Sequence, residues 1–405
     1  MNVIFIEPAF PPNQREFVRG LAAAGATVIG IGERPLEQLD GDLRDWMLHY
    51  HRIDNVTDVG ALTDTVRWVQ DRLWVDRLEA TVEAHTMAAA QARENCAIPG
   101  TSVRTAYLCR DKPSMKAVLR EAGVPCAASM AAHSAAEIRD FAARFGYPLI
   151  LKPRAAAGAS GTVRVDSDDA LNDSLPGFAE ADSIAVEEFV EGHEGFYDTL
   201  SVDGDAVYDF VTHYYPNVLE AMRTRWISPQ FISTNRVDVA PDYGELREMG
   251  RRVTRALGIG TSATHMEWFF GPRGLRFSEI GCRPPGVRAW DLYAAGNDID
   301  IYHEWANAIV HGRVDRPLSR RRAAGMVALR PDQDGHITHY DGLDEMWYRF
   351  GEHILDVHLP GPGTPTQPVD AGYMANAWVR MAHPDFDTLR AMLDAVGQGV
   401  TVRAS

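Results

Sequence analysis

Residues 1–33 alternate between two apolar runs and an amphipathic helix, and that alternation commits the start of the chain to a parallel α/β layer. Val3–Glu7 is apolar, Gln14–Ala24 carries Phe17, Val18 and Leu21 at helical spacing, and Gly25 ends it. Thr27–Ile31 is apolar again, so strand, helix and strand follow one another as in a doubly wound sheet. The turn after the first strand, Glu7-Pro8-Ala9-Phe10-Pro11-Pro12, has no glycine fingerprint, and a dinucleotide-binding reading fails there. Val56–Leu73 reads as a helix and Glu79–Glu83 as a strand, with this first domain ending near Leu108.

The pattern then changes. Asp111 caps a helix over about 112–122 with Pro113 in its first turn, and Ser134 with Glu137 forms a capping box for the next. Leu149–Pro153 is a short strand, and a small-residue loop at 155–161 leads to a second strand, Thr162–Val165. Ile184–Phe189 is another strand, and Phe196–Val202 with Ala206–His213 forms a hairpin. A helix opening at Asp242 buries Leu246, Met249, Val253 and Leu257; a second hairpin, Ala263–Phe270 with Leu275–Ile280, follows, then a helix over Ile299–Val310. At 405 residues, with about 150 per domain, two to three domains are expected. The expected division is 1–108, an α/β domain; 109–312, two nucleotide-binding lobes; and 313–405, a mixed α+β domain.

Charge excludes one class of partner. Forty basic against 56 acidic residues give a net charge of −16, the wrong sign for holding a phosphate backbone. No run of about 18 apolar residues suggests a membrane span. Neither a signal peptide nor a disulfide framework is legible, the four cysteines having no such spacing, so a reduced, cytoplasmic protein is expected. Only three of the basic residues are lysines: Lys112, Lys116 and Lys152. An ammonium fits where a planar guanidinium is too bulky, which makes these three worth locating.

Two places carry chemistry. The loop at 155–161, with Gly158, Ser160 and Gly161 among alanines, could let backbone N–H groups approach phosphate oxygens, although taken alone it reads more readily as a flexible surface hairpin. Lys152, at the end of an apolar strand, calls for an anionic partner, and a nucleotide phosphate would be one. The second hairpin is the stronger signal. A three-residue loop, Pro272-Arg273-Gly274, sets Glu267 opposite Glu279 with side-chain roots roughly 5 Å apart. Phe269 then faces Phe277, while Met266, Trp268 and Ile280 point the other way. Opposed carboxylates repel unless a cation sits between them, and with phosphate oxygens they would make a magnesium site. A different loop length would separate them into two solvated glutamates.

These pieces, in this order, resemble the ATP-grasp superfamily of carboxylate–amine ligases over essentially the whole chain: Arg110-Asp111-Lys112, Ile150-Leu151-Lys152-Pro153 with its loop, Val186 to Glu194, His265-Met266-Glu267, and Glu279-Ile280-Gly281-Cys282-Arg283. Bacterial amino-acid (dipeptide) ligases and carnosine-synthase-like enzymes look most similar. The resemblance implies the ATP-grasp fold, with an N-terminal doubly wound domain, a central two-lobed nucleotide-binding domain and a C-terminal mixed domain. It implies that Lys112 and Lys152 bind ATP phosphates beneath the 155–161 loop, and that Glu187, Glu188, Phe189 and Val190 run along the adenine. Glu194 would accept from the ribose, Glu267 and Glu279 would hold Mg2+ (or Mn2+), and Arg283 would stabilise the acyl phosphate. The implied reaction joins a small carboxylate, an amino acid being the expectation, to an amine through an acyl phosphate and releases ADP. A carboxylase working through carboxyphosphate and a non-catalytic ATP-binding sensor are the alternatives. Small-molecule carboxylate and amine substrates are the partners expected, with no nucleic acid or membrane, and a homodimer is open to it.

Two departures are visible. Many family members carry Asn two residues after the second metal glutamate, where this chain has Gly281. Ser228–Ser233 also lacks the Glu and His that related dipeptide ligases place near the incoming amine. Of the remaining residues, His265 reads as a hydrogen-bonded structural histidine rather than a ligand. Arg223, Arg225, Arg236 and Arg288 each read as surface charges, or as binders of a substrate carboxylate.

Overall fold

The structure, a computed structural model, describes residues 1–154, 161–178, 182–369 and 376–405. The N-terminal alternation folds as its pattern demands. Asn2–Ile6 lies between Thr27–Gly32 and Arg77–Glu79 in a four-stranded parallel sheet completed by Met47–Arg52. The helix Gln14–Ala23 buries Phe17, Val18 and Leu21, and Val59–Gln70 buries Leu62, Val66 and Val69. The last strand comes earlier than expected, at Arg77–Glu79, and Glu83–His85 is a 3-10 turn instead. That shift puts the Glu83 side chain on a loop at the end of the sheet, where it can reach another part of the molecule.

Two further sheets face each other. Ser129–Ala132, Ile184–Glu188, Leu149–Pro153 and Val163–Val165 form a small antiparallel sheet backed by the helix Ala135–Phe145. The larger one is an eight-stranded sheet running Gly274–Gly281, Ser262–Gly271, His193–Val202, Asp205–Tyr215, Gln230–Ser233, Ala323–Leu329, Ala377–His383 and Ile354–His358. It crosses residue 312 without a break, because Gln230–Ser233 pairs directly with Ala323–Leu329. The helix Tyr243–Leu257 covers one end of it with Leu246, Met249, Val253 and Leu257, and stops at the left-handed Gly258. On the opposite side, Phe17 of the helix Gln14–Ala23 packs edge-on against Trp305 and Tyr302, each with ring centroids 5.0 Å apart, so the N-terminal sheet is anchored to the large one by aromatic packing.

The second hairpin corrects the sequence reading in an instructive way. Its turn is a two-residue loop, Pro272-Arg273, with Gly271 opposite Gly274, and Trp268 rather than Phe269 faces Phe277. Such a turn alone would separate the glutamates. A bulge between Glu267 and Trp268 adds one residue on the returning strand and brings Glu267 back opposite Glu279. Phe277 consequently joins Met266, Trp268 and Ile280 in the buried core.

Candidate active site

Between the small and large sheets lies a cavity of about 410 Å³. Lys112, Lys152, Glu187, Glu188, Phe189, Val190, Glu194, Glu267 and Glu279 all line it, which brings together nine of the residues singled out from the sequence. Gly158 and Ser160 lie outside the described residues. Gly161 is described: its backbone is left-handed at φ +67°, and a Cβ there would meet Pro153 Cγ at 3.0 Å, so both conformation and space favour glycine.

Each side chain reaches the cavity for a local reason. Asp111 accepts the Ser114 N–H and starts the helix at Lys112, leaving Lys112 at the helix mouth with its ammonium 3.3 Å from Glu279. Lys152 sits next to last in its strand, 2.9 Å from Glu187 and 3.9 Å from Glu279. The third lysine, Lys116, lies one turn beyond Lys112 and is 1% exposed; its ammonium meets the same Glu187 oxygen at 2.6 Å. Burial would raise the Glu187 carboxyl, but Lys116 and Lys152 outweigh it and hold it down at about 2. Burial pushes Lys116 below the usual lysine range, whereas Glu187 and Glu279 overcome burial at Lys152 and raise it. The sequence reading gave Lys116 no role. A lysine at helical spacing beside other polar residues carries no sign of being fully enclosed.

Glu188 pairs with Arg273 of the hairpin turn at 3.2 Å, and the Arg164 guanidinium lies 4.4 Å over the Phe189 ring. The Phe189 N–H is already donated to the Pro148 carbonyl at 3.2 Å. Glu194 accepts the Val218 N–H at 2.7 Å, while its own N–H is held by Asn217 at 3.0 Å. Burial, then the nearby Glu267, raise the Glu194 carboxyl to about 8. For Glu279, burial acts upward, but Lys112 and Lys152 bring the carboxyl below its ordinary value.

Arg283 is placed elsewhere. It does not line the cavity; its Nε donates to Glu83 at 2.9 Å, and Arg110 reaches the same carboxylate at 3.3 Å. A Cβ at Gly281 would lie 3.2 Å from Glu83 Oε2 and 3.4 Å from Arg283 Nε. The space next to Gly281 is therefore filled by an ion pair with Glu83, from the turn that follows the strand Arg77–Glu79. Arg223 does line the cavity, whereas Arg225, Arg236 and Arg288 are bound to Asp334, Asp385 with Asp387, and Asp291 respectively.

Glu267 and Glu279 offer hard oxygen donors side by side, with Glu194 close enough to feel Glu267, a donor set that suits magnesium or manganese. Among the described residues, no three His, Cys, Asp or Glu side chains converge on a point able to hold a metal ion. A cation here would need oxygens from a second source, and phosphate is the usual one for magnesium.

Residues 111–197 match the family described as "Carbamoyl-phosphate synthase L chain, ATP binding domain". This chain carries an ATP-grasp domain. It is 25% identical over 324 residues to the L-arginine-specific L-amino acid ligase of Bacillus subtilis, covering 78% of this chain and 76% of that one. It is 27% identical over 285 residues to the uncharacterized protein y4rH of Sinorhizobium fredii, covering 67% of this chain but only 56% of that protein's length. Among solved structures, an L-amino acid ligase from Bacillus licheniformis superposes with a TM-score of 0.78 at 17% identity, covering 100% of this chain and 98% of that one. That likeness bears out the ATP-grasp fold expected from the sequence.

Proposed function

We propose that the chain is an ATP- and magnesium-dependent ligase that joins a small carboxylate, an amino acid in the first instance, to an amine and releases ADP and phosphate. The observation that carries this reading is the convergence of Lys112, Lys152, Glu267 and Glu279 on one cavity. The likeness to two amino-acid ligases supports the choice of substrate class.

In this reading Lys112 and Lys152 neutralise phosphate oxygens, and ATP displaces part of their present attraction to Glu279. Glu187 keeps Lys152 and Lys116 in place from beneath. Glu188, Phe189 and Val190 lie along the base, and Glu194 accepts from the ribose. Glu267 and Glu279 would hold magnesium, which when bound would supply charge neutralisation for phosphoryl transfer. Phosphoryl transfer to a carboxylate asks for positioning and charge stabilisation rather than a protein nucleophile, and the cavity offers both. To meet an acyl phosphate, Arg283 would have to exchange its ion pair with Glu83 for the new anion.

Cytoplasmic ATP would serve such a reaction; all four cysteines are free and buried, in keeping with a reducing compartment. Among the described residues no helix is long and apolar enough to cross a membrane. The test is incubation with ATP, magnesium and pooled amino acids, with ADP release and coupled product followed by mass detection. Stoichiometric AMP would overturn the acyl-phosphate reading. ADP release dependent on bicarbonate would favour a carboxylase, and binding without turnover a sensor.

A further inference from the structure

Behind Glu267 stands a chain of buried polar groups that the proposed reaction does not use. Tyr293 donates its hydroxyl to Asp198 Oδ2 at 2.6 Å, the other oxygen of Asp198 lies 2.8 Å from His265 Nδ1, and His265 Nε2 lies 3.8 Å from Glu267 Oε1. Asp198 and Tyr293 are each 1% exposed. The strand register explains how they meet. His265 is directly opposite Asp198 on the neighbouring strand, and His265 and Glu267, two residues apart, project from the same face. Aromatic packing fixes both ends: the Tyr293 ring stacks on Phe210 at 4.1 Å, and the imidazole sits edge-on to Phe196 at 4.9 Å.

We propose that Asp198 and Tyr293 are positioning residues for the cation site, acting through His265 on the Glu267 carboxylate. This rests on the reading of Glu267 as a cation ligand. A glutamate on a flexible stem makes a good ligand only when something holds its second oxygen. Groups behind a metal ligand commonly do so by fixing its orientation. Asp198 turns the Nε2 edge of the imidazole toward Glu267, and Tyr293 stops Asp198 from turning in its place. The position across the ladder from His265 is Gly281, which brings no side chain of its own. No side chain from that strand can take over the task of His265.

The experiment uses the full chain with ADP, and Mn2+ as a spectroscopic stand-in for magnesium, titrated by electron paramagnetic resonance. Glu267→Gln is the control and should lose Mn2+ binding. Asp198→Asn and His265→Gln should each weaken Mn2+ binding by at least roughly tenfold, the lower bound for losing such a supporting partner. ADP binding measured without metal should stay unchanged. The double variant should be no weaker than either single one, because both act on one chain. Tyr293→Phe removes a single oxygen and should act in the same direction, by less. Asp198→Asn or Tyr293→Phe that folds and binds Mn2+ like the original protein overturns the proposal, as does an additive double variant. If Asp198→Asn does not fold, Tyr293→Phe alone decides. Unchanged Mn2+ binding by Glu267→Gln would instead sink the cation reading beneath it, so the two failures are distinguishable.

Discussion

Glu187 accepts the Lys116 ammonium at 2.6 Å in an ion pair that water scarcely reaches. Removing one member of such a pair leaves the other charge buried without compensation. Glu187→Gln would strand Lys116 and also weaken the hold on Lys152, so a loss of about 3–5 kcal/mol is expected. Urea unfolding of the two proteins measures it; a loss within error of zero would mean that the pair is not closed in solution. The same carboxyl gives an acid dependence. Its folded value, about 2, lies below the ordinary 4.5. The stability it contributes is therefore present above about pH 4.5 and drains away as pH falls toward 2.

Lys152→Arg keeps the charge but sets a planar, bulkier head between Glu187 and Glu279. We expect a large loss of ATP affinity with the fold retained. Calorimetric titration with ATP, checked by circular dichroism, is the measurement, and affinity equal to the original would contradict the placement of phosphate at Lys152.

Opposed glutamates, taken alone, make Glu279→Gln neutral or stabilising in the absence of metal. Lys112 and Lys152 reverse that sign, because Glu279 is their partner and its carboxyl is held below its ordinary value. The variant should lose about 1.5–3 kcal/mol without ligand, the scale of a hydrogen bond to a charged group. It should also lose most of the stabilisation given by magnesium–ATP. Thermal melts with and without the ligand separate the two effects. A variant that gains the full ligand shift would rule out Glu279 as a ligand.

Glu194 gives the opposite pH trend to Glu187. Its folded value near 8 exceeds the ordinary 4.5, so the folded chain binds this proton more tightly than the unfolded chain. Its contribution is fully present below about pH 4.5 and is lost as pH rises through about 8. Glu194→Gln should flatten the fall in melting temperature across that range. An unchanged slope would show that Glu194 is ionised like any exposed glutamate.

Gly281→Asn puts in the side chain that the family resemblance leads one to expect, yet its Cβ would press on Glu83 and Arg283 at 3.2 and 3.4 Å. We expect weaker turnover than the original rather than a gain, with recovery when Glu83→Ala is added. Steady-state rates of the single and double variants test this, and a single variant faster than the original would refute it.

Much of this site could be read in advance because its parts are local. Leu149–Pro153 begins and ends where its apolar run does, and the Asp111 cap with Pro113 fixes the helix that offers Lys112. The hairpin shows the limit of such reading. The glutamates do face each other, but through a two-residue turn and a bulge rather than the three-residue turn the sequence predicts. Turn length and bulge cancel in the register, so the pairing was legible and its cause was not. Arg283 and Glu83 lie 200 residues apart in sequence, and no spacing rule brings them together. Lys116 was hidden for a related reason: its burial is decided by the small sheet closing over it.

The continuous eight-stranded sheet limits how this chain can be taken apart. A gene cut after residue 312 would leave Gln230–Ser233 without the neighbour it pairs with and would uncover a row of unpaired backbone groups. Open edges of that kind recruit strands from other molecules. Expressed alone, the first 312 residues should aggregate rather than bind nucleotide as a free-standing module, and adding residues 313–405 as a second polypeptide should restore a soluble pair.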